Sequence, residues 1–171
     1  QQLYETGQLE VAQLLAALSE SHDRSEEALG ICETALTYGI ILVDPLAHYH
    51  LHATRGDILR AAGLLSEEDE ARTISSYEAV LASDHQELEK LRGVCADYLG
   101  LIYKNRLRGD PYHNRRQAIR YMMRALASFS EEDDPDDWAT VKSNLGNAYM
   151  LRGGADRRAD VETAIRHYKD A

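Results

Sequence analysis

One Phe and one Trp stand in a chain of 171 residues, beside ten Tyr. So few large aromatics, with Ala and Leu abundant, disfavour a β-sandwich core and suit helices packed through small side chains. Two cysteines, Cys32 and Cys95, are too few for a disulfide framework, and the expected compartment is a reducing cytoplasm. No apolar run approaches the roughly 20 residues that a membrane-spanning helix needs, so no membrane partner is expected. No signal peptide is visible at Gln1, although a chain that begins without Met reads as a fragment of a longer protein. Positive charge is also scarce: a net charge of −10 argues against a nucleic-acid partner.

The scarce positive charge is concentrated. Between Lys104 and Arg124 lie seven basic residues and the single acid Asp110, and directly afterwards Glu131 to Asp137 reads EEDDPDD. Arg108, Arg115, Arg116 and Arg120 form a candidate basic patch for an acidic partner surface.

What the chain does contain is a repeat. Laid over itself at an offset of 46 residues, Leu99-Gly100 falls on Leu145-Gly146, Tyr103 on Tyr149, Ala118-Ile119 on Ala164-Ile165, and Ala125 on Ala171. Coincidence at one fixed offset, without gaps, is the mark of an internal repeat. Two weaker copies precede these, with Ala16 and Gly56 in the glycine slot and Tyr77 placed like Tyr168.

Each copy reads as an antiparallel helix pair. First helices are predicted near Gln2–Ser21, Pro45–Ala62, Gln86–Arg106 and Asp136–Arg152, and second helices near Ser25–Tyr38, Glu67–Ala82, Arg115–Ser128 and Ala159–Ala171. Ser66 with Asp69, and Ser83 with Gln86, have the spacing of capping boxes. Gly39, Gly63 and Gly153-Gly154 fall where helices end. Ile40 to Val43 (IILV) is β-branched and, with no partner strand in view, reads as a connector. Glycine within a helix costs about 1 kcal/mol relative to alanine. Gly56, Gly100 and Gly146 therefore imply close approach of the second helix, with Ala28, Ala118 and Ala164 as its small surface. Such pairs bury their apolar faces only by stacking.

Leu-Gly-x-x-Tyr followed by Ala-x-x-x-Tyr-x-x-Ala, here Leu145, Gly146, Tyr149, Ala164, Tyr168 and Ala171, resembles the tetratricopeptide repeat. The likeness covers the whole chain, with repeats at about 1–38, 44–82, 86–128 and 136–171, three of them longer than the family's period. The expanded form is also similar to repeats that accompany CHAT-type caspase-like proteins. The resemblance implies one all-α domain, a right-handed superhelical solenoid of about four helix pairs. It further implies a non-catalytic module that binds a partner helix or peptide in a concave groove lined by first helices, as the sensor or adaptor part of a larger effector or regulator. Carried over residue by residue, the groove would offer Gln13, Ala17 and Glu20, then His50, Ala53, Asp57 and Arg60. Asp97, Leu101, Lys104 and Asn105 would follow, then Ser143, Asn147, Met150 and Leu151. The Lys/Asn clamp for chaperone tails is absent, since Gln13 and Ala17 stand at its decisive places.

Two other signals compete. His48, His50 and His52 alternate as metal ligands sometimes do, but on a helix only His48 and His52 share a face, and a third ligand is missing. They read as packing side chains, with no metal or cofactor expected. Arg55-Gly56-Asp57 spells an adhesion tripeptide inside a helix, and Arg108-Gly109-Asp110 repeats it in a turn; both read as coincidence. Cys32 and Cys95 read as buried thiols without an adjacent histidine. A self-associating scaffold, which the open last helix would favour, and a metal-binding or Cys/His hydrolytic enzyme are the alternatives.

Overall fold

The computed structural model describes residues 25–37, 45–63, 66–152 and 157–171. Among these residues the chain is all-helical, with seven α-helices and no strand. They are α1 (Ser25–Thr37), α2 (Pro45–Ala61), α3 (Glu67–Leu81), α4 (Glu89–Asn105), α5 (Pro111–Leu126), α6 (Pro135–Arg152) and α7 (Arg157–Asp170), with a 3-10 turn at Gln86–Leu88. The expected helix Gln2–Ser21, the IILV connector, Gly39 and Gly153-Gly154 lie outside the described residues, as do Gln13, Ala16, Ala17 and Glu20.

Helix boundaries follow local chemistry. Ser66 caps α3 by accepting the Asp69 backbone N–H at 3.0 Å, and its hydroxyl donates to the Asp69 carboxylate at 2.7 Å. Gly63 ends α2 at φ 92°, a conformation costly for any residue with a Cβ. Two boundaries differ from expectation. The expected helix start at Gln86 is a 3-10 turn that precedes α4, and the Ser83 hydroxyl accepts from His85 N–H at 3.2 Å, two residues on. Helix α5 starts at Pro111, four residues before the predicted Arg115. Asp110 caps it by accepting from Tyr112 and His113 N–H at 3.0 and 3.2 Å, and Pro111 needs no N–H partner there. The tripeptide Arg108-Gly109-Asp110 is thus a helix start, with Gly109 at φ 77° making the turn.

The chain divides into two compact units, one ending at Leu88 and one beginning at Glu89. In the first, α1 packs on α2 and α2 on α3. Ala28, Cys32, Ala35 and Leu51 form the α1–α2 core, flanked by Ile31, Leu36 and Ile58. In the second, each of α4 to α7 packs on the next, and Leu99, Ala118, Met122, Val141, Leu145 and Ala164 are buried.

The glycines do hold the helices close, but not against alanine alone. A Cβ built on Gly56 would lie 2.6 Å from the Tyr77 ring, and one on Gly146 2.5 Å from the Tyr168 ring. On Gly100 it would meet Met122 Cγ at 2.5 Å and the Ala118 carbonyl oxygen at 3.2 Å. Each notch is therefore filled by a large side chain from the second helix. The small residues Ala28, Ala118 and Ala164 are buried, and of these the Ala118 carbonyl lies against the Gly100 notch. A fourth notch was not anticipated: a Cβ built on Gly93 in α4 would lie 2.6 Å from the edge of Phe129, the one Phe of the chain.

Candidate functional site

The repeat is visible in side-chain geometry as well as in sequence. Tyr103 stacks on Tyr121 with centroids 5.5 Å apart, and Arg106 covers the Tyr103 ring at 5.6 Å. Forty-six residues on, Tyr149 stacks on His167 at 5.5 Å and Arg152 covers Tyr149 at 5.4 Å. Each triad joins the end of a first helix to its second helix by stacking and cation–π attraction. Arg152 also pairs with the buried Asp160 carboxylate, which stands where the preceding repeat has the buried Asn114. Asn114 spans its own turn by donating to the Arg108 carbonyl at 2.6 Å.

The position directly after each glycine is a proposed groove position, and its neighbours are now defined. Tyr77, 0% exposed over Gly56, donates its hydroxyl to Asp57 Oδ1 at 2.7 Å, while Arg60 Nε donates to the Tyr77 oxygen at 3.3 Å. Burial, then the adjacent Asp57 carboxylate, pushes the Tyr77 phenol strongly upward, so it stays a donor. Tyr168 over Gly146 likewise donates to Asn147 Oδ1 at 3.1 Å. In the intervening repeat Met122 replaces the tyrosine and Leu101 replaces the acceptor, so that interior and groove position change together.

The remaining groove candidates are unequal. His50 and Asn105 are exposed and Lys104 is partly exposed at the end of α4. Asp97 is buried, and both of its carboxylate oxygens accept from Asn144 Nδ2, at 3.1 and 2.9 Å, tying α4 to α6. Burial raises its carboxyl, and the Asn144 amide opposes that rise. On α6, Met150 and Leu151 are 46% and 50% exposed, apolar side chains open to water at two of the expected groove positions.

Of the basic patch, Arg108 is exposed in the turn before α5, and Arg116 and Arg120 are exposed on the helix one turn apart. Arg120 lies 5.0 Å over the Tyr121 ring. Arg115 points elsewhere: it is partly buried and donates to the Arg152 carbonyl at 3.4 Å, at the C-terminal end of α6. That carbonyl is a helix-end acceptor otherwise in need of a donor.

The histidine stretch forms a packed polar knot. His48 and His52 meet edge to face at 4.7 Å, and Arg55 reaches His52 Nδ1 at 3.5 Å while donating to Ser76 Oγ at 2.8 Å. Burial first, then Arg55 and His48, pushes the His52 imidazole down to about 4. His48 is lowered by burial and Arg55. Burial pushes the Cys32 thiol up to about 11 against the opposing pull of Arg55, which leaves it protonated and a poor nucleophile at neutral pH. Cys95 is buried too. Among the described residues no three His, Cys, Asp or Glu side chains are placed to hold a metal ion. Nor is any described helix long and apolar enough to cross a membrane.

Sequence reasoning missed the Tyr–Asp57, Tyr–Asn147 and Asp97–Asn144 bonds. Only the co-variation of Tyr77 with Asp57, Tyr168 with Asn147 and Met122 with Leu101 carried a signal for the first two. Compared with known proteins, the chain matches no family model, no curated protein and no solved structure.

Proposed function

We propose that the chain is a non-catalytic interaction module of tetratricopeptide-like repeats, wound as a right-handed superhelical solenoid. Its first helices line a concave groove for a partner helix or peptide segment. The observation that carries this reading is the recurrence of one packing unit. A mid-helix glycine covered by the side chain 21 or 22 residues further on occurs at Gly56–Tyr77, Gly100–Met122 and Gly146–Tyr168. Helices locked at such notches present their outer positions in a fixed order, so a ligand binds without ordering the receptor. The groove would recognise through His50, Asp57, Arg60, Lys104, Asn105 and Asn147, with Asp97 as the internal tie between α4 and α6. Met150 and Leu151 would take the apolar face of an amphipathic helix. The basic patch would receive acidic side chains, and the module would serve as a sensor or adaptor arm of a larger cytoplasmic effector.

Selection of helical peptides from a displayed library on the immobilised chain tests the reading. Bound peptides should carry an apolar stripe, and Lys104→Glu or Met150→Asp should weaken them about tenfold or more by titration calorimetry. Selected peptides that bind these variants as well as the parent would refute it.

A further inference from the structure

The outer face of α5 bears a stripe that the groove reading leaves unused. Tyr112, Arg116, Arg120 and Met123 follow one another at helical spacing, with Tyr112 51% and Met123 48% exposed. Arg108 extends the positive end of the stripe into the preceding turn. Among the described residues Arg108, Arg116 and Arg120 have no acidic partner. The opposite charge stands just beyond the helix. In the turn leading into α6, Asp134 is paired with Lys90 and Asp133 with the Ser130 hydroxyl. Glu131, Glu132 and Asp136 are exposed and make no ion pair among the described residues, while Asp137 joins Asp134 and Asp133 in holding the Lys90 ammonium charged.

The two blocks do not neutralise each other within one copy. Arg116 lies ten residues before the end of α5, about 15 Å along its axis. That exceeds the screening length of about 8 Å at physiological ionic strength. Between two copies the same arrangement is complementary: a basic stripe on a helix whose end carries an acidic turn can match a second copy under a two-fold rotation. The position of the axis is constrained. A crossing at the middle of α5 would set Arg116 against the partner's Arg120, whereas a crossing near Leu126 sets each basic stripe along the other copy's acidic turn.

We propose that this chain forms a two-fold homodimer through α5, in which Arg116 and Arg120 of each copy pair with Glu131, Glu132 and Asp136 of the other. Met123 lies near the axis as the apolar centre, shielded from water by the charged rim. The face is distinct from the groove: the inference rests on the basic-patch part of the proposed function and names a second copy as the source of its acidic side chains, while peptide binding in the groove survives or fails separately.

Sedimentation velocity of the intact chain tests it. At about 50 mM salt a concentration-dependent dimer is expected, with a dissociation constant raised about tenfold or more at about 500 mM. R116E/R120E and E131K/E132K should each be monomeric over the same range, and an equimolar mixture of the two should recover a heterodimer. All four side chains are exposed, so helical circular dichroism should stay at the parent level, and the two variant pairs check each other. A parent chain that remains monomeric throughout the micromolar range would overturn the proposal, as would a dimer indifferent to both reversals, or a mixture that fails to associate. Capture of a poly-glutamate peptide by a monomeric chain would also overturn it, assigning the stripe to a foreign acidic segment.

Discussion

Alanine at Gly56 and at Gly146 should have opposite consequences, although the two sites look alike on paper. A Cβ at either position falls 2.5–2.6 Å from a tyrosine ring. In both cases alanine gains about 1 kcal/mol of helix propensity over glycine. The difference lies in what the ring can do next. Tyr77 is fully buried, its hydroxyl held between Asp57 and Arg60, so it cannot retreat without losing packing and a hydrogen bond. Overpacking costs about 1–3 kcal/mol and the lost bond about 1 kcal/mol, so Gly56→Ala should destabilise by a net of about 1–3 kcal/mol. Tyr168 is 43% exposed and lies in the last turn of α7. Its ring can swing outward, its bond to Asn147 is exposed, and Gly146→Ala should fall within about 0.5 kcal/mol of the parent. Urea unfolding followed by helical circular dichroism measures both. In a Tyr77→Ala background, Gly56→Ala should become stabilising by about 1 kcal/mol, since only the propensity gain is left. If Gly56→Ala is neutral in the parent, or if Gly146→Ala is as damaging, the close-approach account of these glycines is wrong.

Acid should weaken the first unit through its histidines. Because the His52 imidazole sits at about 4 when folded and near 6.5 when free, the unfolded chain binds the proton first. Stability is then full above pH 6.5 and falls between pH 6.5 and about 4, worth about 3 kcal/mol at face value and roughly half that after solvent screening of a half-buried ring. His52→Phe should flatten that part of the pH–stability curve, and an unchanged slope would contradict it. Asn144→Ala should cost about 1–3 kcal/mol in urea, because it strips the buried Asp97 carboxylate of both bonds, and the Asp97→Leu/Asn144→Leu pair should recover most of the loss. Both thiols should react with a disulfide reagent only as fast as the helices open, so mild urea should accelerate labelling of Cys32 and Cys95 far more than raising the pH from 7 to 8.

The pairwise helical order was legible because periodicity and small-residue spacing act along the chain. The glycines of the three later repeats sat at matched positions, and the described helices begin and end within a few residues of expectation. Errors came where one local cue outweighed another. Asp110-Pro111 reads as part of a long turn when it is a strong helix start, and Gln86 reads as the start of a helix where a 3-10 turn precedes α4. The notches were read as glycine against alanine because alanine also recurs in register, yet the aromatic or Met one turn on fills the space. Asp97 and Asn144 are 47 residues apart, and their bond depends on the rotation of two helices about their axes, which no spacing encodes. The basic block was legible as charge alone; that Arg115 turns inward to a helix end while Arg116 and Arg120 stay outside follows from which side of α5 is packed.

The hydroxyl bond from Tyr77 to Asp57 limits how such a module can be re-aimed. At Asp57 a new side chain cannot be installed by one substitution without cost, because the buried Tyr77 hydroxyl underneath would lose its acceptor, whereas the exposed Tyr168 hydroxyl over Gly146 can turn to water. Asp57→Leu calls for a methionine beneath it, the combination already present as Leu101 over Met122. If the proposed groove contacts a partner at Asp57, its specificity there would drift by linked exchanges of surface and interior, two codons at a time, and anyone redesigning it has to edit the hidden partner first.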